Sequence, residues 1–122
     1  MEGETSTGLN PNIAGLLCYL VGWVTGIVFL LLEPNNRFVR FHAIQSIIVF
    51  GAITILSIIL TILTAIFGFL GPLGFVSIIF GAISTIIWIL ALILWIVLMV
   101  KAYQGEYFML PVAGNMAEKQ LG

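Results

Sequence analysis

The side chains able to do chemistry are few, and they gather in one place. Asn36 to Ile47 reads NRFVRFHAIQSI and holds Arg37, Arg40 and the single histidine, His42. At 3.6 residues per helical turn, His42, Gln45 and Ser46 share one face, while Arg37 and Arg40 project from roughly the opposite side. An imidazole one turn from a carboxamide could contact a partner or client polypeptide. It could also gate a pore, because an unperturbed histidine changes charge near about pH 6.5. The plainer alternative is an interfacial histidine satisfied by hydrogen bonds. Arg37 and Arg40 can anchor the chain by snorkelling to lipid headgroups, contact an anionic lipid or partner, or pair with Glu33. Arg37, Arg40, His42 and Gln45 are the candidate partner or client contacts.

Enzymatic chemistry finds little support. A metal centre needs three or four ligands, and the chain has one His, one Cys and no Asp. A Cys–His nucleophile pair needs direct contact. With residues 13–32 as one straight helix, Cys18 falls about 20 Å from the end where His42 sits. No glycine-rich phosphate loop and no intramembrane pair of acids occurs. The expectation is a protein without enzymatic activity, metal or cofactor. A formal net charge of −1 with four Lys+Arg leaves no broad surface to neutralise phosphates, which excludes nucleic acid. Cys18 alone forms no internal disulfide.

The elements that position these residues follow from composition. The chain is 61% hydrophobic and 7% charged, against about 25% charged in a soluble domain. A small soluble domain cannot hide that much apolar surface, so lipid is part of the solvent. Three uncharged apolar runs, 13–32, 41–67 and 75–100, each reach the roughly 20 residues needed to span a bilayer core. Helix satisfies their backbone within the segment. Asn10 and Pro11 suit the start of the first helix, and Pro34-Asn35-Asn36 breaks the chain before the second. GFLGPLG, Gly68 to Gly74, turns the second helix into the third.

The predicted fold is an all-α membrane protein with three transmembrane helices, an antiparallel hairpin of the second and third, and a short interfacial C-terminal segment. Residues 1–12 form a flexible N-terminal segment without the basic start of a signal peptide. Residues 13–114 form the membrane domain, 101–114 its interfacial tail with Tyr103, Tyr107 and Phe108 at headgroup depth, and 115–122 the C-terminal end. The four basic residues fall in the first connection and after the third span, so the positive-inside rule predicts a cytoplasmic C-terminus and an outward N-terminus in the cell membrane.

Small and hydroxyl residues mark where helices could meet. Gly22 and Gly26 form a GxxxG pair. Ser57 and Thr61 lie on one stripe of the second helix, Gly81 and Ser84 on one of the third. These six are candidate packing positions. The stripes could instead line a polar pathway.

FVRFHAIQS, Phe38 to Ser46, followed after two spans by Tyr107-x-x-x-Pro111-x-x-Gly114, resembles the small archaeal and bacterial membrane proteins related to the twenty-kilodalton Tic subunit of the chloroplast inner-envelope import channel. The resemblance covers most of Asn12 to Gly114 and includes Arg40, His42 and Gln45. It implies a helical membrane protein that helps polypeptides cross or enter a membrane. Three spans, where the plastid pattern has four, are too few to enclose a polypeptide-sized pore, so further copies or translocon subunits would be required. The leading expectation is a non-enzymatic accessory factor in membrane protein translocation or insertion. The rivals are an oligomeric channel or transporter for an ion or small solute, with His42 as gate, and a structural protein that organises the membrane. The expected partners are accordingly the lipid bilayer, other copies of the chain, translocon subunits and client polypeptides.

Overall fold

The computed structural model describes residues 4–121, and among them every regular element is helical. Residues 1–3 and 122, the outermost parts of the expected N-terminal segment and C-terminal end, lie outside the described residues. Helix α1 spans Pro11–Leu17, α2 Trp23–Leu32, α3 Arg37–Gly68, α4 Gly74–Tyr103 and α5 Ala113–Gln120, with a 3-10 turn at Gly71–Leu73 before α4. The helix starts follow their capping chemistry. The Asn10 side chain accepts the Asn12 N–H at 2.9 Å, and Pro11 holds the first position. Asn36 Oδ1 accepts the Val39 N–H at 3.1 Å at the start of α3. In each case a side-chain oxygen satisfies one of the orphan donors of the first turn.

The expected first span is not one helix. Residues 13–32 divide between α1, seven residues long, and α2, ten residues long. At 1.5 Å per residue these reach about 10 and 15 Å, well short of a ~30 Å bilayer core. The break centres on Gly22, whose φ of +59° is disfavoured for residues with a Cβ. The two ends of this helix pair also lie together. Ser6 and Thr7 are hydrogen-bonded to Glu33, and Asn36 Nδ2 donates to the Glu4 carbonyl at 2.7 Å. The pair is therefore a helical hairpin whose two ends meet. The apolar run has the length of a span without its continuity, because a glycine in a permissive conformation interrupts it without any change in hydropathy.

Two helices, α3 and α4, are long and apolar enough to cross a membrane, and α2 is a shorter apolar one. With 32 and 30 residues, the two long helices measure about 48 and 45 Å.

The chain forms two compact units. Residues 52–94 are the second half of α3, the connecting turn and most of α4; the rings of Phe67 and Phe80 lie 5.6 Å apart near the turn. Most of its large side chains are exposed, Ile78 to 73%. The other unit, residues 4–51 with 95–121, holds a buried cluster of Ala14, Cys18, Phe29, Val39 and Ala43 and a second of Phe41, Ile44 and Ala117. The α2 backbone comes close to α3 at Gly26, where a Cβ would stand 2.9 Å from the Ala43 carbonyl oxygen.

Helix α5 departs from the plain C-terminal end expected at 115–122. It buries Ala113, Gly114 and Ala117, a spacing of i, i+1 and i+4 that makes one helical face. Its start has no side-chain cap. Instead Val112, at φ +67°, lies within a three-residue turn closed by the Ala113 N–H on the Pro111 carbonyl at 2.7 Å.

Candidate functional site: a closed polar network

In the first unit, α3 carries three polar side chains into a buried cluster, and His42, Gln45 and Ser46 are all fully buried. The chemistry of their partners fixes the direction of each bond. A carbonyl can only accept, so His42 Nε2 carries the proton it donates to the Glu106 carbonyl at 2.9 Å. In this neutral tautomer Nδ1 accepts the Tyr19 hydroxyl proton at 2.7 Å. The Tyr19 oxygen then accepts from Gln45 Nε2 at 3.0 Å. Gln45 gives its other amide hydrogen to the Phe108 carbonyl at 2.9 Å and accepts the Leu110 N–H on Oε1 at 2.9 Å. The network closes with each ring nitrogen and each amide hydrogen matched to a partner. Phe38, Phe41 and Tyr107 surround the imidazole, with Phe38 nearest at 4.6 Å between ring centroids.

What these side chains hold is irregular backbone. The chain from 104 to 112 is not helical, and His42 and Gln45 satisfy its groups at Glu106, Phe108 and Leu110. A similar service is done at the α1–α2 break. Thr25 Oγ1 accepts the Val21 N–H at 3.1 Å and lies 3.2 Å from the Cys18 carbonyl, to which it can donate. Ser46 Oγ donates to the Gly22 carbonyl at 2.9 Å, and Trp95 Nε1 donates to the Tyr19 carbonyl at 2.6 Å. Non-helical backbone in an apolar setting persists only when protein groups replace the missing bonds. Tyr19, Thr25 and the tail carbonyls are not singled out by the sequence, which places Trp95 only on a packing seam of the third helix. Tyr19 reads there as apolar bulk, and only the fold places the tail against α3.

The four expected contact residues do not form one surface. His42 and Gln45 are enclosed by this chain, Arg37 is exposed and Arg40 is half-buried. Within this chain, Tyr19 and the tail backbone occupy the polar atoms of His42 and Gln45. Glu33 does not pair with either arginine. Its carboxylate accepts from the backbone N–H groups of Ser6 and Thr7 and from the Thr7 hydroxyl. Burial pushes its pKa up, but the bonds from Thr7 and Ser6 outweigh that and hold it below the usual carboxylate range. The assumed separation of Cys18 from His42 also fails, because it presumed a straight first helix. Cys18 Sγ lies 3.6 Å from the Val39 carbonyl, and the next residue, Tyr19, binds His42 directly. Cys18 is nonetheless buried.

The six packing positions separate by unit. Gly22 and Gly26 face α3, where added Cβ atoms would stand 3.2 Å from Phe50 Cβ and 2.9 Å from the Ala43 oxygen. Ser57, Thr61, Gly81 and Ser84 belong to the 52–94 unit. There Thr61 Oγ1 bonds back to the Ser57 carbonyl at 2.8 Å, and Thr85 Oγ1 to the Gly81 carbonyl at 3.0 Å. A Cβ at Gly81 would meet open space, so no neighbour in this chain uses its small size. Among the described residues no group of three His, Cys, Asp or Glu could hold a metal ion.

Comparison with known proteins agrees with the membrane character. A UPF0132 membrane protein of Methanocaldococcus jannaschii is 49% identical over 96% of this chain and 94% of its own length. A second from that organism is 44% identical over 92% of this chain and 71% of its own length. One from Archaeoglobus fulgidus is 41% identical over 93% and 98%. No solved structure matches. The part of the sequence resemblance that pointed to small archaeal membrane proteins is shown by these relatives, and its link to the plastid import subunit is not. The profile that matches residues 6–117 is that of the magnetosome magnetite crystal formation protein family, so this chain is a membrane protein belonging to that family.

Proposed function

We propose that the chain is a non-enzymatic, two-span membrane protein with a structural role, organising lipid and other membrane proteins through its apolar hairpin. The observation that carries this reading is the closure of the polar network. His42 and Gln45 are engaged by the chain's own backbone, while residues 52–94 present mostly exposed apolar side chains. Positive-inside bias puts Arg37, Arg40, Lys101 and Lys119 in the cytoplasm. The bonds from Ser6 and Thr7 to Glu33 support a reading in which residues 6 and 7 lie on that same side, whereas three spans predict an outward N-terminus.

The test is a photo-crosslinking residue at Ile78, an exposed position about one turn into α4, used in living cells. Adducts with further copies of the chain or with resident membrane proteins support the structural role. Adducts dominated by nascent or secretory polypeptides reject it.

The second reading, an accessory role in protein translocation or insertion, is favoured by the FVRFHAIQS resemblance. Its contact surface is then Arg37 and Arg40 rather than His42 and Gln45. A crosslinker at Arg40 that captures nascent chains or translocon subunits supports it, and capture of lipid alone counts against it.

A further inference from the structure

Beside the polar network lies a charged hollow that it does not use. It measures about 230 Å3 and is lined by Arg37, Phe41, Tyr107, Glu118 and Leu121. Arg37 is the first residue of α3, and Glu118 stands on α5. Both are exposed. Among the described residues the ion pair is Lys101 with Glu106, at 3.6 Å, so Arg37 and Glu118 are not joined to one another. One guanidinium, one carboxylate, two aromatic rings and an aliphatic side chain share a single concavity.

We propose that this hollow binds the zwitterionic headgroup of a membrane phospholipid, with phosphate on Arg37 and ammonium on Glu118. A guanidinium offers a planar fork of donors that matches phosphate oxygens. A carboxylate beside aromatic faces attracts an ammonium group. The paired charges select against simpler ligands: an anionic headgroup meets repulsion from Glu118, and a simple cation meets repulsion from Arg37. Position favours lipid over a soluble ligand. Arg37 opens the long apolar helix α3, at the border where basic and aromatic side chains meet headgroups. Phe41 and Leu121 supply an apolar wall for the first carbons of the lipid. The inference needs the chain to lie in a membrane and is independent of whether its role is structural or in translocation.

Native mass spectrometry of the full chain in detergent tests it, using phosphatidylethanolamine and phosphatidylglycerol with identical acyl chains. The zwitterionic lipid should be retained several-fold more than the anionic one. Arg37→Gln should lower retention of both. Glu118→Gln should lower retention of phosphatidylethanolamine and raise that of phosphatidylglycerol, inverting the preference. Neither side chain belongs to the polar network, and unchanged helical circular dichroism checks that both variants are folded. Displacement of bound lipid by free phosphorylethanolamine would identify the headgroup chemistry alone as the ligand. Retention in its presence, with the variant effects intact, would identify the lipid. Equal retention of the two lipids, or variants that leave the preference unchanged, would overturn the proposal.

Discussion

Gln45 Oε1 accepts the Leu110 N–H at 2.9 Å, so a helix near the start of the chain holds an irregular segment near its end. The same side chain donates to Phe108 and Tyr19. Gln45→Met keeps the length of the side chain and removes all three bonds. Leaving buried polar groups unpaired costs about 1–3 kcal/mol each when they stay dry. The variant should lose roughly 2–4 kcal/mol of stability. Amides between residues 106 and 112 should exchange with solvent much faster. Unchanged protection there would mean that something other than Gln45 fastens the tail.

Tyr19 is the bridge between His42 and Gln45. Tyr19→Phe should destabilise by about 1–3 kcal/mol, because Nδ1 loses its donor and the amide loses an acceptor. Nitrogen NMR of the wild-type imidazole should report the Nε2–H tautomer near neutral pH. A dominant Nδ1–H form would contradict the direction of both His42 bonds, to Glu106 and to Tyr19.

Two threonines should respond differently to the same change. Thr25→Val removes the hydroxyl that serves Val21 and Cys18 at the α1–α2 break, and should cost about 1–2 kcal/mol. Thr61→Val removes only a bond back to a carbonyl of its own helix and should stay within about 0.5 kcal/mol of wild type. Thermal unfolding in one detergent compares them, and equal costs would deny Thr25 its special place.

A re-entrant hairpin and a first transmembrane span give opposite labelling patterns. In a Cys18→Ser background, single cysteines at Leu9 and Asn35 should react with an impermeant thiol reagent from the same side, and one at Leu70 from the other. Labelling of Leu9 from the side opposite Asn35 would restore the three-span arrangement.

The Glu33 clasp sets a pH dependence. Its folded pKa lies below the unfolded one, so its contribution is complete above the ordinary carboxylate range. That contribution is lost as pH falls through the lowered folded value. Protease protection of residues 5–8 should therefore survive at neutral and mildly acidic pH and fail only below the ordinary carboxylate range. Glu33→Ala should lack protection at every pH. A wild-type clasp that opens near neutrality would show that the Ser6 and Thr7 bonds do not hold the carboxylate.

The sequence by itself determined the solvent, the helical class, the long hairpin and several helix ends. Each depends on local composition: apolar runs demand lipid and helix, Asn10 and Asn36 cap the helices that start beside them, and the glycines and proline from Gly68 to Gly74 end one long helix and begin the next. It also singled out His42 and Gln45 by their spacing. Only the tertiary structure decided that they face the chain's own tail, because their partners are backbone groups, and every residue type carries the same ones. The division of 13–32 into two short helices was hidden for a related reason. Hydropathy averages over Gly22, and the groups that stabilise the break, Thr25, Ser46 and Trp95, include two that lie far along the chain. Burial in three dimensions turned a candidate contact surface into a fastening, and left the arginine face and α5 as the charged surface open to other molecules.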